Sequence, residues 1–304
     1  MSNLEKPTYK SWKTSIALFQ LLIHGVLIFL SLAAIMPFVL LISSALTHES
    51  SLLVDGYSFW PQHFSLDNFN YVFRTNRDSV FRAYSITIFI TVVGTSISLS
   101  ISPMLAYALS RKDYNKRRVI GFMVFFIMIF NGGLVAQYTM WTRIFFIRNT
   151  IFALIFPNLL MNGFQIMLMR SFFTINIHPS LVEAAKIDGA GEFRIYYQIV
   201  VPLSLPIITV IGLMVGLAYW NDWTNGLYYI TDVRLFSLQN VLNRILMNAR
   251  FLAAMSTDAT VLVDLPNIGI RMAMGVIGAL PILVLYPFFQ RFFIKGITLG
   301  GVKE

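Results

Sequence analysis

In a chain where 57% of residues are hydrophobic and only 12% are charged, polar side chains inside apolar runs are the ones placed to do chemistry. Asn131, Asn162, Gln165, Asn221 and Asp222 are such residues, and Trp220, Trp223 and Asn225 stand beside the last two. Amides form paired hydrogen bonds with hydroxyls, and flat rings stack on the apolar face of a pyranose. Asn131, Asn162, Gln165, Trp220, Asn221, Trp223 and Asn225 are therefore candidate contacts along a route for sugar. The same residues have a plainer use: amides join helices within a membrane, and tryptophans gather at its interfaces.

Other chemistries are poorly provided for. With no cysteine there is no disulfide, thiolate metal site or thiol nucleophile. His48-Glu49 lacks the second histidine of a zinc-protease motif, and no phosphate-binding GxxxxGK followed by Ser or Thr occurs. Asp55, Asp67 and Asp78 are isolated, and no carboxylate lies in the middle of an apolar run, so an intramembrane enzyme has no visible acid–base pair. His24 has no carboxylate to relay a proton with and reads as a helix-packing residue. The net charge of +9 is scattered between apolar runs, not clustered as nucleic-acid binding requires.

The elements that must hold these residues are membrane spans. Each needs roughly 20 apolar residues, and six segments qualify: about 16–42, 84–109, 119–137, 151–169, 203–222 and 270–293. Pro103 kinks the second, Asn131-Gly132-Gly133 breaks the third, and Pro157 and Asn158 fall in the fourth. The first run follows Lys6, Lys10 and Lys13 and is too long for the core of a cleaved signal, so it is a retained span; Ser43-Ser44-Ala45 keeps cleavage open. If the N-terminus is cytoplasmic, about 14 of the 23 basic residues lie in short inside segments, most densely in Arg111–Arg118. That bias places both termini inside. The fold class is all-α, a single six-span membrane domain over 1–304 in a cell (inner) membrane. Two outside loops are long, 43–83 and 223–269. In the second, Leu235, Leu238, Val241, Leu242, Ile245, Leu246 and Ala249 fall on one helical side. That side can lie on the membrane, on a partner, or on the chain's own outer ends.

One inside segment, 178–202, is unlike its surroundings. It contains Glu183-Ala-Ala-Lys-Ile-Asp-Gly-Ala-Gly191. Ser180 and Glu183 have the spacing of a capping box, and Gly189 or Gly191 can end the helix they open. A second helix, Glu192 to Val200, presents Phe193, Tyr196, Tyr197 and Val200 on one side, and Pro202 breaks it before the fifth span. Ala184 and Ala185 keep the first helix slim, so another protein can approach its backbone, while Glu183, Lys186 and Asp188 offer charge at the rim. A rigid knob tied to spans on both sides transmits a push; an ordinary solvated loop helix is the competing reading.

The segment resembles the EAA motif of ABC importer permeases: Glu183-Ala184-Ala185, then Gly189, then Ile199, Val201 and Pro202, with Val201 where the family has leucine. The longer EAAKIDGAGEFRIYYQIVVPLSLP, with FNGGLVAQYTMW, YWNDWTNGLYYI and RFFIKGITLGGVK, is similar to the carbohydrate-uptake branch, the maltose-type smaller membrane subunits. The resemblance implies that the first helix is a coupling helix seated in a separate ATPase, with Ser180, Glu183, Ala184, Ala185, Asp188, Gly189 and Ala190 at the contact. ATP and Mg would be bound by that partner, and this chain would carry no cofactor and no metal. Further implied partners are a second, homologous permease forming a heterodimer, two ATPase copies, and an extracytoplasmic solute-binding protein that the 223–269 loop reaches. The expected function is ATP-driven import of an oligosaccharide. The absence of a large charged cavity signature favours a neutral one. The alternatives are an ABC permease for a non-sugar solute, or an ion-coupled secondary transporter, which would show intramembrane charge and often duplicated halves.

Overall fold

The computed structural model describes residues 9–75, 77–255 and 268–301. Among these residues the chain is helical, with one isolated bridge, Thr47 to Phe64, and no named strand. The described residues divide into two compact units, one drawn from within 1–72 and 253–277 and the other from within 73–252 and 278–304.

The first unit begins with α1 (Tyr9–Ala45), which contains Pro37. Its apolar residues from Phe19 to Ile35 lie exposed, as expected of a helix whose partners are lipid or protein. His24 is exposed too, and its ring nitrogen meets the Gln20 carbonyl of its own helix at 2.6 Å. The short α2 (Glu49–Val54) and α3 (Asp67–Thr75) follow. The buried Asn68 amide donates to the carbonyls of Ala45 and Thr47 at 3.1 and 2.9 Å. The Glu49 carboxylate accepts from the Ile268 and Gly269 amides at the start of the last helix, 2.9 and 2.8 Å away, where the first amides lack helical partners.

The second unit is organised on α4 (Arg77–Ser110). Val80, Ala83, Thr87, Ile90, Gly94, Ser98, Ser102 and Ala106 are buried at helical spacing, while Phe81, Ile88, Phe89 and Val92 stay exposed. Then come α5 (Arg117–Ile129) and α6 (Gly133–Ile144), bent by 118° at the Asn-Gly-Gly break foreseen there, with Gly133 at φ +84°. The segment 151–169 is not one helix. α7 (Phe152–Ile155) stops short of Pro157, Asn158 takes a left-handed φ of +61°, and α8 (Gly163–Asn176) starts afresh from Asn162. A proline and a left-handed residue in sequence interrupt the hydrogen-bond ladder.

α9 (Pro179–Ile187), α10 (Glu192–Leu203) and α11 (Leu205–Trp220) come next. α10 is π-helical over Tyr196–Val200 and meets α11 at 82°. Pro202 sits in the first turn of a helical piece, and the bend falls at Ser204 instead. Tyr196 and Val200 are buried while Phe193 and Tyr197 are exposed, so the buried side of α10 is narrower than its spacing suggested. α12 (Thr224–Tyr229), α13 (Leu238–Met255) and α14 (Ile268–Gly301) complete the described helices. Leu238, Val241 and Leu242 of α13 are buried and the Leu238 amide donates to Thr87, so this side packs on the chain itself.

α11 lies along α4 through small residues. A Cβ on Gly94 would sit 2.3 Å from the Tyr219 ring, and one on Gly212 3.0 Å from Leu99. Such residues let helix backbones approach closely in a membrane. By length and apolarity, two described helices can cross a bilayer, or up to four if each bent pair counts as one span.

Candidate functional site

The knob at 178–202 is built by two helix caps. His178 is extended, its ring nitrogen accepts from the Ser180 amide at 3.4 Å, and Pro179 occupies the first helical position, where its missing amide is no loss. His178, not Ser180, thus caps α9; the Ser180 hydroxyl is bonded back to the His178 ring at 2.7 Å. At the other end Gly189 takes φ +78°. The Gly189 amide donates to the Lys186 carbonyl at 3.0 Å and the Ala190 amide to the Ala185 carbonyl at 2.9 Å. This pair of bonds is a Schellman closure, which needs a left-handed residue. Gly191, at φ −73°, starts α10 instead.

Val182 and Ala185 turn inward, whereas Glu183, Ala184, Asp188 and Gly189 are exposed and Ile187 is 86% exposed. The exposed side is slim, carries two acids and ends on a bare isoleucine.

Side chains absent from the candidate set fix its base. Arg111 and Asp113, just beyond α4, meet Lys186 of α9 and Glu192 of α10. The Lys186 ammonium lies 3.1 Å from Asp113 and 3.0 Å from Glu192. The Arg111 guanidinium lies 3.5 Å from Glu192, donates from Nε to Asp113 at 2.8 Å, pairs with it again through Nη2, and donates to the Tyr107 hydroxyl at 2.7 Å. The hydrogen bonds from Arg111, with those from Lys186 second, hold the Asp113 carboxyl well below the ordinary carboxylate range. Glu192 and then Asp113 raise the Lys186 ammonium above its ordinary value. The sequence held one sign of this cluster: Asp113 is the lone acid among Arg111, Lys112, Lys116, Arg117 and Arg118.

The sugar-contact candidates are dispersed. Asn131 accepts from the Gly133 amide at the α5–α6 bend. Asn162 caps α8, accepting from Phe164 and Gln165 at 3.0 and 3.3 Å, and Gln165 is buried. Trp220 is buried and donates to the Gly278 carbonyl at 3.0 Å. Asn225 is buried and donates to Pro157 at 3.0 Å. Asn221 is exposed, donating to Leu217 at 3.0 Å, and Trp223 is 43% exposed. A cavity of about 600 Å³ between α4 and α11 touches Trp220 but none of the candidate amides; Thr91, Thr95, Leu99, Thr209 and Gly212 also line it.

The described helices include ones long and apolar enough to cross a membrane, and the capped knob stands exposed between two of the helices that follow α4. Residues 75–299 match the family of binding-protein-dependent transport system inner membrane components, and the chain belongs to that family. It is 33% identical to the polygalacturonan/rhamnogalacturonan transport system permease protein YtcP of Bacillus subtilis (strain 168), over 94% of this chain and 98% of that one. To protein LplC of the same organism it is 35% identical over 88% and 89%. Among solved structures, a bacterial ABC transporter involved in the import of the acidic polysaccharide alginate superposes with a TM-score of 0.73 at 26% identity, covering 92% of this chain and 98% of that chain. The chain is thus a polytopic permease component of an ABC importer and not itself an enzyme; it works with an ATPase and a substrate-binding protein.

Proposed function

We propose that this chain is one of two non-identical permeases in an oligosaccharide importer with two ATPase copies. It crosses the cell membrane six times with both termini inside. Its α9 knob docks in the ATPase, which binds the ATP and Mg. The observation that carries this reading is the Schellman-closed α9, with Glu183, Ala184 and Asp188 exposed and Val182 and Ala185 anchored. Ser180 and Ala190 frame the contact. Asn131, Asn162, Gln165, Trp220, Asn221, Trp223 and Asn225 remain the candidate substrate route, with Asn131, Asn162, Asn221 and Trp223 the exposed ones among them, and the 223–269 loop reaches the binding protein.

The sugar we propose carries carboxylates. Two similar proteins are named for polygalacturonan/rhamnogalacturonan and for alginate. The cations of this chain also segregate: no lysine occurs between Lys13 and Lys112 or between Lys186 and Lys295, so the basic residues of the outer segments are all arginine. Arginine engages carboxylates in a bidentate fork that lysine cannot form. This reading displaces the neutral sugar expected above.

The test is uptake into proteoliposomes of the assembled complex. Oligogalacturonate should stimulate ATP hydrolysis and maltotriose should not; the reverse would sink the acidic assignment. Glu183→Lys should abolish ATPase-coupled uptake by repelling the docking surface, and uptake at the wild-type rate would sink the role given to that residue.

A further inference from the structure

The backbone connects the knob to α8 and α11, but side chains connect it to α4. Arg111, Asp113, Lys186 and Glu192 close a ring in which each cation touches both acids. Arg111 and Asp113 follow directly on α4, whereas Lys186 and Glu192 come one from each helix of the knob. Beneath the ring lies an apolar joint. Ala106, Tyr107 and Leu109 of α4 share one buried cluster with Val182 and Ala185 of α9 and Ile195 and Tyr196 of α10. The Tyr107 ring lies 5.7 Å from that of Tyr196 and 6.5 Å from that of Phe173.

The covalent route from knob to α11 is built differently. It passes through the π-helical turn Tyr196–Val200 and then the 82° bend at Ser204. Among the described residues the buried Ser204 hydroxyl has no hydrogen-bond partner. A π-turn and a sharp bend absorb displacement within a helix, whereas a packed joint passes it on. α4, by contrast, leaves the joint as one helix of 34 residues, and the buried Pro103 within it removes one ladder hydrogen bond without ending the helix.

We propose that Arg111, Asp113, Lys186 and Glu192 are positioning residues that lock the knob to the end of α4, so that the ATPase stroke enters the bundle through α4 before α11. This rests on the coupling role proposed above. The ring does not bind the ATPase; it determines which helix the knob moves. Exposed ion pairs taken singly shift an equilibrium by about two- to fivefold. Arg111 is the strongest member, its side chain only 15% exposed and its fork on Asp113 bidentate.

The absence of cysteine makes single-cysteine reporters clean. Ser96→Cys on α4 and Thr209→Cys on α11 both line the cavity between those helices. Their labelling by a water-soluble maleimide is compared in the full complex with and without ATP and vanadate. With the ring intact, both reporters should respond. Asp113→Asn with Glu192→Gln should cut the response at position 96 by about fivefold, leave position 209 within about twofold, and leave the ATPase co-purifying. Both acids are more than half exposed, so folding should survive. Asp113→Glu should restore the response, and adding Lys186→Met to the double variant should cost little more, because members of one network are non-additive. Unchanged labelling at position 96, or equal losses at both positions, would overturn the proposal. If Glu183→Lys silences both reporters while the ring variants alter neither, only the ring assignment fails. If Glu183→Lys leaves both responding with the ATPase bound, the coupling reading fails first.

Discussion

The two ends of α11 use polar residues in opposite ways. At the Trp220–Asn225 end, side chains bond mainly to backbone: Trp220 to Gly278, Asn225 to Pro157, Asn221 to Leu217, and Asp222 to the amides of Thr224 and Asn225. At the knob end, Arg111, Asp113, Lys186 and Glu192 bond chiefly to one another, and Glu183 and Asp188 face outward. A side chain bonded to backbone fills a vacancy in its own fold, so its polarity needs no ligand to explain it. Exposed charge on a capped helix fills no such vacancy and is solvated unless another molecule covers it.

The largest effect that separates the two ends is expected at Gly189. Among the described residues nothing lies within 4 Å of a Cβ placed there, so a side chain meets open space and the strain comes from φ +78°. Gly189→Val should open the Schellman closure at a cost of about 1–3 kcal/mol and lower coupled uptake about tenfold or more. Gly189→Asn, which tolerates the left-handed region, should retain most of it. Equal uptake by the two variants at equal membrane abundance would show that the closure does not matter.

A smaller effect should distinguish Asn225 from Asn221. Asn225→Leu removes a buried bond and leaves the Pro157 carbonyl unpaired, a loss of about 1–3 kcal/mol. It should lower the thermal midpoint of the purified protein whether or not sugar is present. Asn221→Ala touches an exposed amide and should leave that midpoint nearly unmoved. If Asn221→Ala nevertheless weakens oligogalacturonate-stimulated ATP hydrolysis, Asn221 belongs to the sugar route. If it does not, this end of α11 is structural throughout.

The helical class and the knob were legible because each has a local signature: long apolar runs for the spans, and a fixed spacing of Glu183, Gly189 and Pro202 for the knob. The break at 131–133 was legible for the same reason, since Asn-Gly-Gly forces a turn wherever it stands. What escaped depends on residues distant in sequence. The Lys186 and Asp113 partners lie 73 positions apart, and no periodicity within α9 points across that gap. His178 replaced Ser180 as the cap because the helix starts at Pro179, and an imidazole nitrogen accepts an amide proton as a serine oxygen does. The substrate candidates are amides and aromatic rings in or beside apolar runs, and neither residue type distinguishes a side chain aimed at a sugar from one aimed at a carbonyl.

The smallest expected effect is that of pH on the ring, and here a null result is informative. Asp113 is held below the ordinary carboxylate range by Arg111 and then Lys186. Its stabilisation is therefore complete above its unfolded value near about pH 4 and fades only as pH falls through the still lower folded value. Lys186 is raised, so its contribution is complete below an unfolded value near about pH 10 and fades as pH rises through the higher folded one. Between these limits both groups keep their charge. The ATP-driven labelling change at position 96 should then stay flat from about pH 5 to pH 9, once the ATPase's own pH profile is divided out. Salt should act where pH does not, because ring members more than 40% exposed, such as Lys186 and Glu192, are screened over a length of about 8 Å at physiological ionic strength. A response that titrates near neutral pH would place some other group at the joint between knob and α4, with the ring no longer controlling it.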